Sequence, residues 1–161
     1  MKKEMKKVTI YTDGASKGNP GKGGYGAVLL FTDDDGKIIK KTISAGYKNT
    51  TNNRMEIMAV LKSLQSLYAP CEVELYSDSQ YVVNTFNKKW INNWKNNGWK
   101  TRNGSPVKNK DLWILLIEQL KIHKVHFNWI KGHNDNEYNE LCDKLATDAA
   151  DNNATLEDKG E

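Results

Sequence analysis

The amino-acid sequence predicts one α/β domain, a five-stranded mixed sheet flanked by helices on both faces. Three observations predict it. Two runs, VTIYTD from Val8 and VELYSD from Val73, share a β-branched and aromatic pattern that ends in aspartate. A helical pattern lies between them, so the second run returns parallel to the first. The runs YGAVLLF and KIIKKTISAGY follow the first strand across turns alone, which makes them antiparallel hairpin partners.

Each element follows in order. Residues 7–13 form the first strand, and Gly14 with KGNPGKGG turns the chain. Residues 25–31 and 37–47 form the second and third strands around the turn DDDG. Met55, Met58, Leu61, Leu64 and Leu67 recur at helical spacing over 51–68, and Pro70 ends that helix. Residues 71–77 form the fourth strand, and 78–90 and 109–122 are helical. The fifth strand covers 124–132, and a last helix covers 136–150 with Leu141, Leu145 and Ala149 on one face. The domain is therefore expected at 1–150, with a polar, loose tail at 151–161. There are no repeats and no linker.

Composition narrows the partners. The 161 residues suit one domain with a real core, and the net charge of +4 points toward an anionic partner. MKKEMKK is not followed by an apolar run of signal-peptide length, and no stretch approaches a membrane span. Cys71 and Cys142 stand alone, against a zinc site or a disulfide scaffold. A cytoplasmic protein fits these features.

In this topology the first and fourth strands lie side by side, and Asp13 and Asp78 share one sheet edge. Glu56 near the start of the first helix and Asp143 in the last helix reach the same edge. Each acid also has an ordinary use. Asp13 before Gly14 suits a turn, and Asp78 suits a helix N-cap. Glu56 stands three residues after Asn53, a capping-box spacing, and Asp143 suits an exposed helix position. Convergence of all four outweighs those uses. Two carboxylates ~5 Å apart repel by roughly 3 kcal/mol at an effective dielectric near 20. Such a cluster needs cations, and an oxygen-only donor set suits Mg²⁺ or Mn²⁺. Two ions ~4 Å apart clamp the attacking and leaving oxygens of phosphoryl transfer.

A second feature is the stretch from Lys88 to Lys110. It holds Lys88, Lys89, Lys95, Lys100, Arg102, Lys108 and Lys110, no acid before Lys110, and Trp90, Trp94 and Trp99 between the cations. A solvated helical face with packed tryptophans accounts for it in part. A projection that grips phosphates and lays aromatic faces on sugars accounts for more.

The motifs YTDGA, GNPG, GGYG, TTNNRMEIMA, YSDSQYV, NWKNNGWKT, KGH and CDKLA, in this order, resemble bacterial ribonuclease H of type 1. The resemblance runs from Val8 to the TLED of the tail. It implies the ribonuclease H-like fold and hydrolysis of the RNA strand of RNA–DNA hybrids, leaving 5′-phosphate and 3′-hydroxyl ends with little sequence specificity. It implies Asp13, Glu56, Asp78 and Asp143 as ligands of two Mg²⁺ ions, with Mn²⁺ as a substitute. It implies His133 as an auxiliary proton shuttle, a role that suits a group titrating near neutral pH. His123 and His126 match nothing catalytic. Asn19, Asn52, Asn53 and Gln80 correspond to hybrid contacts, and Thr51 and Asn109 to residues around a DNA phosphate. Lys88, Lys89, Trp90, Trp94 and Lys95 correspond to the basic protrusion that meets the DNA strand. Asn49 stands where some relatives carry an arginine. The implied partner is the hybrid itself, with no membrane and no obligatory protein partner, for a monomer.

Two other functions compete. DNA-cutting nucleases share such a fold but lack the tryptophan-rich basic projection. A non-catalytic hybrid binder would have lost an acid, whereas all four are present.

Overall fold

A computed structural model of the chain describes residues 5–131 and 136–160. Strands β1 (Lys6–Ser16), β2 (Gly21–Thr32) and β3 (Ile38–Thr50) form an antiparallel meander. Helix α1 (Asn52–Gln65) leads to β4 (Cys71–Ser77), which pairs parallel to β1. Helices α2 (Gln80–Asn87), α3 (Trp90–Asn96) and α4 (Lys110–Ile122) precede β5 (Lys124–Trp129), parallel to β4. Helix α5 (Glu137–Asn152) and a short β6 (Ala154–Leu156) complete the described chain. The strand order is β5-β4-β1-β2-β3-β6.

The mixed α/β architecture follows the sequence expectation, with two differences. The sheet has six strands instead of five. The sixth, β6, is three residues long, too short to show a period, and it pairs with β3. The region after β4 also holds a separate helix, α3. Lys89, at φ 59°, breaks the chain between α2 and α3 in a left-handed conformation that sequence pattern does not announce.

The repeated run is the sheet's central pairing. Val8 lies opposite Val73, Ile10 opposite Leu75, Tyr11 opposite Tyr76 and Thr12 opposite Ser77. The likeness of the two stretches is thus a register, residue against residue. Ile10, Val73 and Leu75 are buried with Leu61, Leu64 and Trp113 from α1 and α4.

Glycine makes the other sheet face flat. A Cβ on Gly26 would stand 2.5 Å from the Cys142 carbonyl oxygen, and one on Gly24 2.5 Å from that of Ala146. Helix α5 therefore lies backbone against backbone on β2, with Cys142, Ala146 and Ala149 buried between them. That close seat fixes where Asp143, on the same helix, arrives.

The tail is not loose. Beyond β6, Asp158 is buried against Arg54 of α1, so the polar residues 151–161 include an anchored segment.

Candidate active site

Asp13 and Asp78 each follow the last paired residues of the central register, Thr12 and Ser77. Two parallel strands of equal register deliver both carboxylates to one edge. Helix α1 adds Glu56, because Gly14 lets the helix close on β1. Any side chain at Gly14 would overlap the backbone of Met55 and Glu56. Carboxylate oxygens of Asp13, Glu56 and Asp78 lie within 4.8 Å of one another. Asp143 reaches Asp13 from α5, close enough for a carboxyl–carboxyl hydrogen bond.

The ordinary uses of these acids are filled by other residues. Asp13 is a strand residue. Ser79 caps α2 by accepting from the Val82 N–H at 3.2 Å. Thr51 caps α1 by accepting from the Arg54 N–H at 3.2 Å.

Its electrostatics are severe. Asp13 is only 5% exposed and Glu56 only 6%. Burial, and then the charges of Asp78 and Asp143, push the Asp13 carboxyl up to about 8. Burial, and then Asp13 and Asp78, raise Glu56 well above the usual carboxylate range. One amide offsets part of this. The Gly14 N–H donates to Asp13 Oδ1 at 2.9 Å and to Glu56 Oε1 at 2.6 Å. A set of carboxylate oxygens this crowded, without nitrogen or sulfur donors, fits a hard divalent cation. Cys142 stands beside the cluster; burial, and then the Asp13 charge, push its thiol up to about 12, and the thiol donates to the Tyr11 carbonyl at 3.2 Å.

The other expected residues fall into two cavities. Asn19, Thr51, Asn53 and Asn109 line one of about 380 Å³, together with Asn49, Lys108 and Asp158. The Asn52 N–H donates to Asn19 Oδ1 at 3.1 Å, tying the β1–β2 turn to the start of α1. Trp90 and Trp94 line a second cavity of about 660 Å³, with Lys100 and Arg102. Lys88, Lys89 and Lys95 are exposed around α3, and Gln80 is exposed at the start of α2. His133 lies outside the described residues.

Sequence reasoning missed two participants. Arg54, almost fully buried, lines the first cavity and pairs with Asp111 and Asp158. A buried arginine in the apolar run RMEIMAV was the available signal, since such a charge requires partners. Trp129 was also missed; its ring N–H donates to the Asp78 carbonyl at 3.1 Å and so supports the β4 end.

Comparison with known proteins shows the family and the fold. A family model described as RNase H matches residues 5–151. The chain is 53% identical over 149 residues to the ribonuclease H of Chlorobium phaeobacteroides, covering 92% of this chain and 99% of that protein. The crystal structure of LC9-RNase H1, a type 1 RNase H with the type 2 active-site motif, superposes with TM-score 0.83 at 27% identity. It covers 94% of this chain and 75% of that one. LC11-RNase H1, solved in complex with an RNA/DNA hybrid, superposes with TM-score 0.64 at 26% identity, covering 89% and 96%.

Proposed function

The chain belongs to the ribonuclease H family, and from that premise we infer that it is a metal-dependent endonuclease hydrolysing the RNA strand of RNA–DNA hybrids. The observation that carries this reading is the crowded trio Asp13, Glu56 and Asp78, joined by Asp143. These four carboxylates would hold two Mg²⁺ ions, with Mn²⁺ as a substitute. When bound, such ions activate water and stabilise charge on the phosphoryl oxygens. The chain's own contribution is alignment: strand ends and a seated helix fix the four ligands before substrate arrives. Water adds to the scissile phosphorus and the P–O3′ bond breaks, leaving 5′-phosphate and 3′-hydroxyl ends; His133 takes a proton from the attacking water or gives one to the leaving 3′ oxygen.

Asn19, Asn52, Asn53 and Gln80 meet the hybrid near the acids and sense the 2′-hydroxyl and duplex shape. Thr51 and Asn109 receive a DNA phosphate. Lys88, Lys89 and Lys95 grip further phosphates, and Trp90 and Trp94 lie against sugars. Contacts of this kind carry little base information, so sequence specificity is low. We assign 1–150 as the catalytic domain and 151–161 as a tail appended to it. Among the described residues no helix is long and apolar enough to cross a membrane. The reading includes a cytoplasmic monomer that needs no protein partner.

The direct test is a labelled hybrid incubated with and without Mg²⁺, beside RNA–RNA and DNA–DNA duplexes. Cleavage is expected only of the RNA strand of the hybrid, and only with metal. Undiminished cleavage in excess chelator overturns the metal-dependent reading.

The basic projection makes a separate prediction. Replacing Lys88, Lys89 and Lys95 together with alanine weakens hybrid binding and lowers its salt slope by up to roughly 0.9 per lost phosphate contact. KM rises while kcat changes much less. A collapsed kcat at constant KM would remove the projection from substrate binding.

A further inference from the structure

Arg54 stands on the first turn of α1, two residues before Glu56, with its side chain 8% exposed. An arginine carries five N–H donors in a rigid fork. Here all five are engaged. Nε donates to Asp158 Oδ2 at 2.7 Å, and Nη2 to Asp158 Oδ1 at 2.9 Å. Nη2 also donates to Asp111 Oδ2 at 2.7 Å, and Nη1 to Asp111 Oδ1 at 2.9 Å. The fifth bond runs from Nη1 to Asn109 Oδ1 at 3.3 Å. Arg54 lines the cavity yet has no donor left for a phosphate. It acts as a scaffold cation.

The fifth bond is the informative one. Asn109 is the N-cap of α4, at φ 64°, but its side chain makes no capping bond. A capping side chain needs an extended backbone, and left-handed Asn109 does not offer one. Its side chain is held by other partners instead. The Asn109 oxygen faces the arginine, and its Nδ2 donates to the Tyr81 hydroxyl at 3.2 Å. Arg54 itself is fixed from the tail. Asp158 takes two of its bonds and a third from the Thr50 hydroxyl at 2.7 Å. The Gly160 N–H closes the turn onto Asp158 Oδ1 at 3.1 Å. A Cβ on Gly160 would collide with the guanidinium, so the chain there passes the arginine as bare backbone.

We propose that Asp158 is a positioning residue for substrate binding: by clamping Arg54 it holds the Asn109 side chain in place at the cavity. This rests on the reading that Asn109 and Thr51 receive a phosphate of the DNA strand. Without the clamp Arg54 shifts toward Asp111 and the Asn109 oxygen loses the partner that orients it. The tail, 49 residues downstream of Asn109 in sequence at Asp158, thereby belongs to the binding apparatus.

The test uses hybrids with one uncharged methylphosphonate linkage placed in turn along the DNA strand. Asp158→Ala and Gly160→Ala are compared with the parent and with Thr51→Ala, all well below their melting transitions. For the parent, one linkage is expected to raise KM about three- to tenfold when neutralised, with kcat little changed. Thr51→Ala loses that sensitivity. Asp158→Ala and Gly160→Ala raise KM on the unmodified hybrid by a similar factor, and the same linkage ceases to stand out. The two variants disturb the clamp by different means, one by removing the charge and one by crowding the arginine. If Thr51→Ala loses the sensitivity while both tail variants keep it, Asp158 is merely structural and the proposal falls alone. If the parent shows no sensitive linkage, the phosphate reading of Thr51 and Asn109 falls, and the positioning role falls with it.

Discussion

Replacing Asp13 with asparagine removes nearly all hybrid cleavage and leaves the metal-free protein as stable as its parent, or more stable. Asp13 is the centre of the cluster, in contact with Glu56, Asp78 and Asp143. Loss of a ligand to ions that supply several kcal/mol of charge stabilisation lowers kcat by about 10³-fold or more. Asparagine keeps the shape and an oxygen for the Gly14 N–H, which now donates at 2.9 Å. It relieves the repulsion. The pH dependence has a definite sign. In the folded protein the Asp13 carboxyl is raised from 3.8 to about 8 by burial and by its acidic neighbours. Across that window the folded state holds a proton that the unfolded state has released. Stability of the metal-free parent therefore falls as pH rises from about 4 to about 8. Asp13→Asn flattens that fall, and added Mg²⁺ raises the melting temperature of the parent more than that of the variant. Melting curves in chelator from pH 5 to 9, beside rates in Mg²⁺, decide the matter. A lower metal-free melting temperature with cleavage intact would show that Asp13 supports the fold and is not a metal ligand.

Arg54→Met is expected to cost about 3 kcal/mol, the low end for breaking a buried ion pair. Asp158 would be left 5% exposed without its cation, whereas Asp111, 40% exposed, rehydrates. The sign with pH is opposite to that at Asp13. Bonding to Arg54 holds Asp111 below the usual carboxylate range. For Asp158, burial pushes upward, but the bonds from Arg54 and Thr50 outweigh it and hold the carboxyl low. That stabilisation is present above the ordinary carboxylate range and is lost as pH falls through the lowered one. The melting temperature of Arg54→Met should drop by about 6–12 °C near neutral pH, with a smaller gap to the parent in acid. Adding Asp158→Asn to Arg54→Met should recover part of the loss, because the stranded charge is gone. A loss below about 1 kcal/mol would place this network among ordinary surface pairs.

The legible parts of the sequence were those with a short-range signature. VTIYTD and VELYSD predicted two adjacent strand ends, and the register pairs them residue by residue. Met55, Met58, Leu61 and Leu64 marked α1 as a helix, and all four are buried, although the helix is buried nearly all round from Arg54 to Leu61. Asp13, Glu56 and Asp78 were found together because the topology alone carries them to one edge. The illegible parts depend on contacts distant in sequence. Asp158 reads as one solvated acid among several in LEDKGE, and its partner lies 104 residues away. The turn between α2 and α3 rests on a lysine in a left-handed conformation, which composition does not favour. β6 exists because β3 offers it an edge, not because three residues favour a strand.

The seat of α5 on the β2 glycines has a consequence for the order in which the protein becomes competent during its own synthesis. Asp13, Glu56 and Asp78 are translated within the first half of the chain, and the basic projection soon after. Asp143 comes late, on a helix that reaches its place only by lying flat on strands made more than a hundred residues before it. Domains fold as units during synthesis. The sheet pairs β1 with β4 and seats α5 on β2, so the domain closes only once α5 has emerged, and Asp143 joins the other three acids in that closing step.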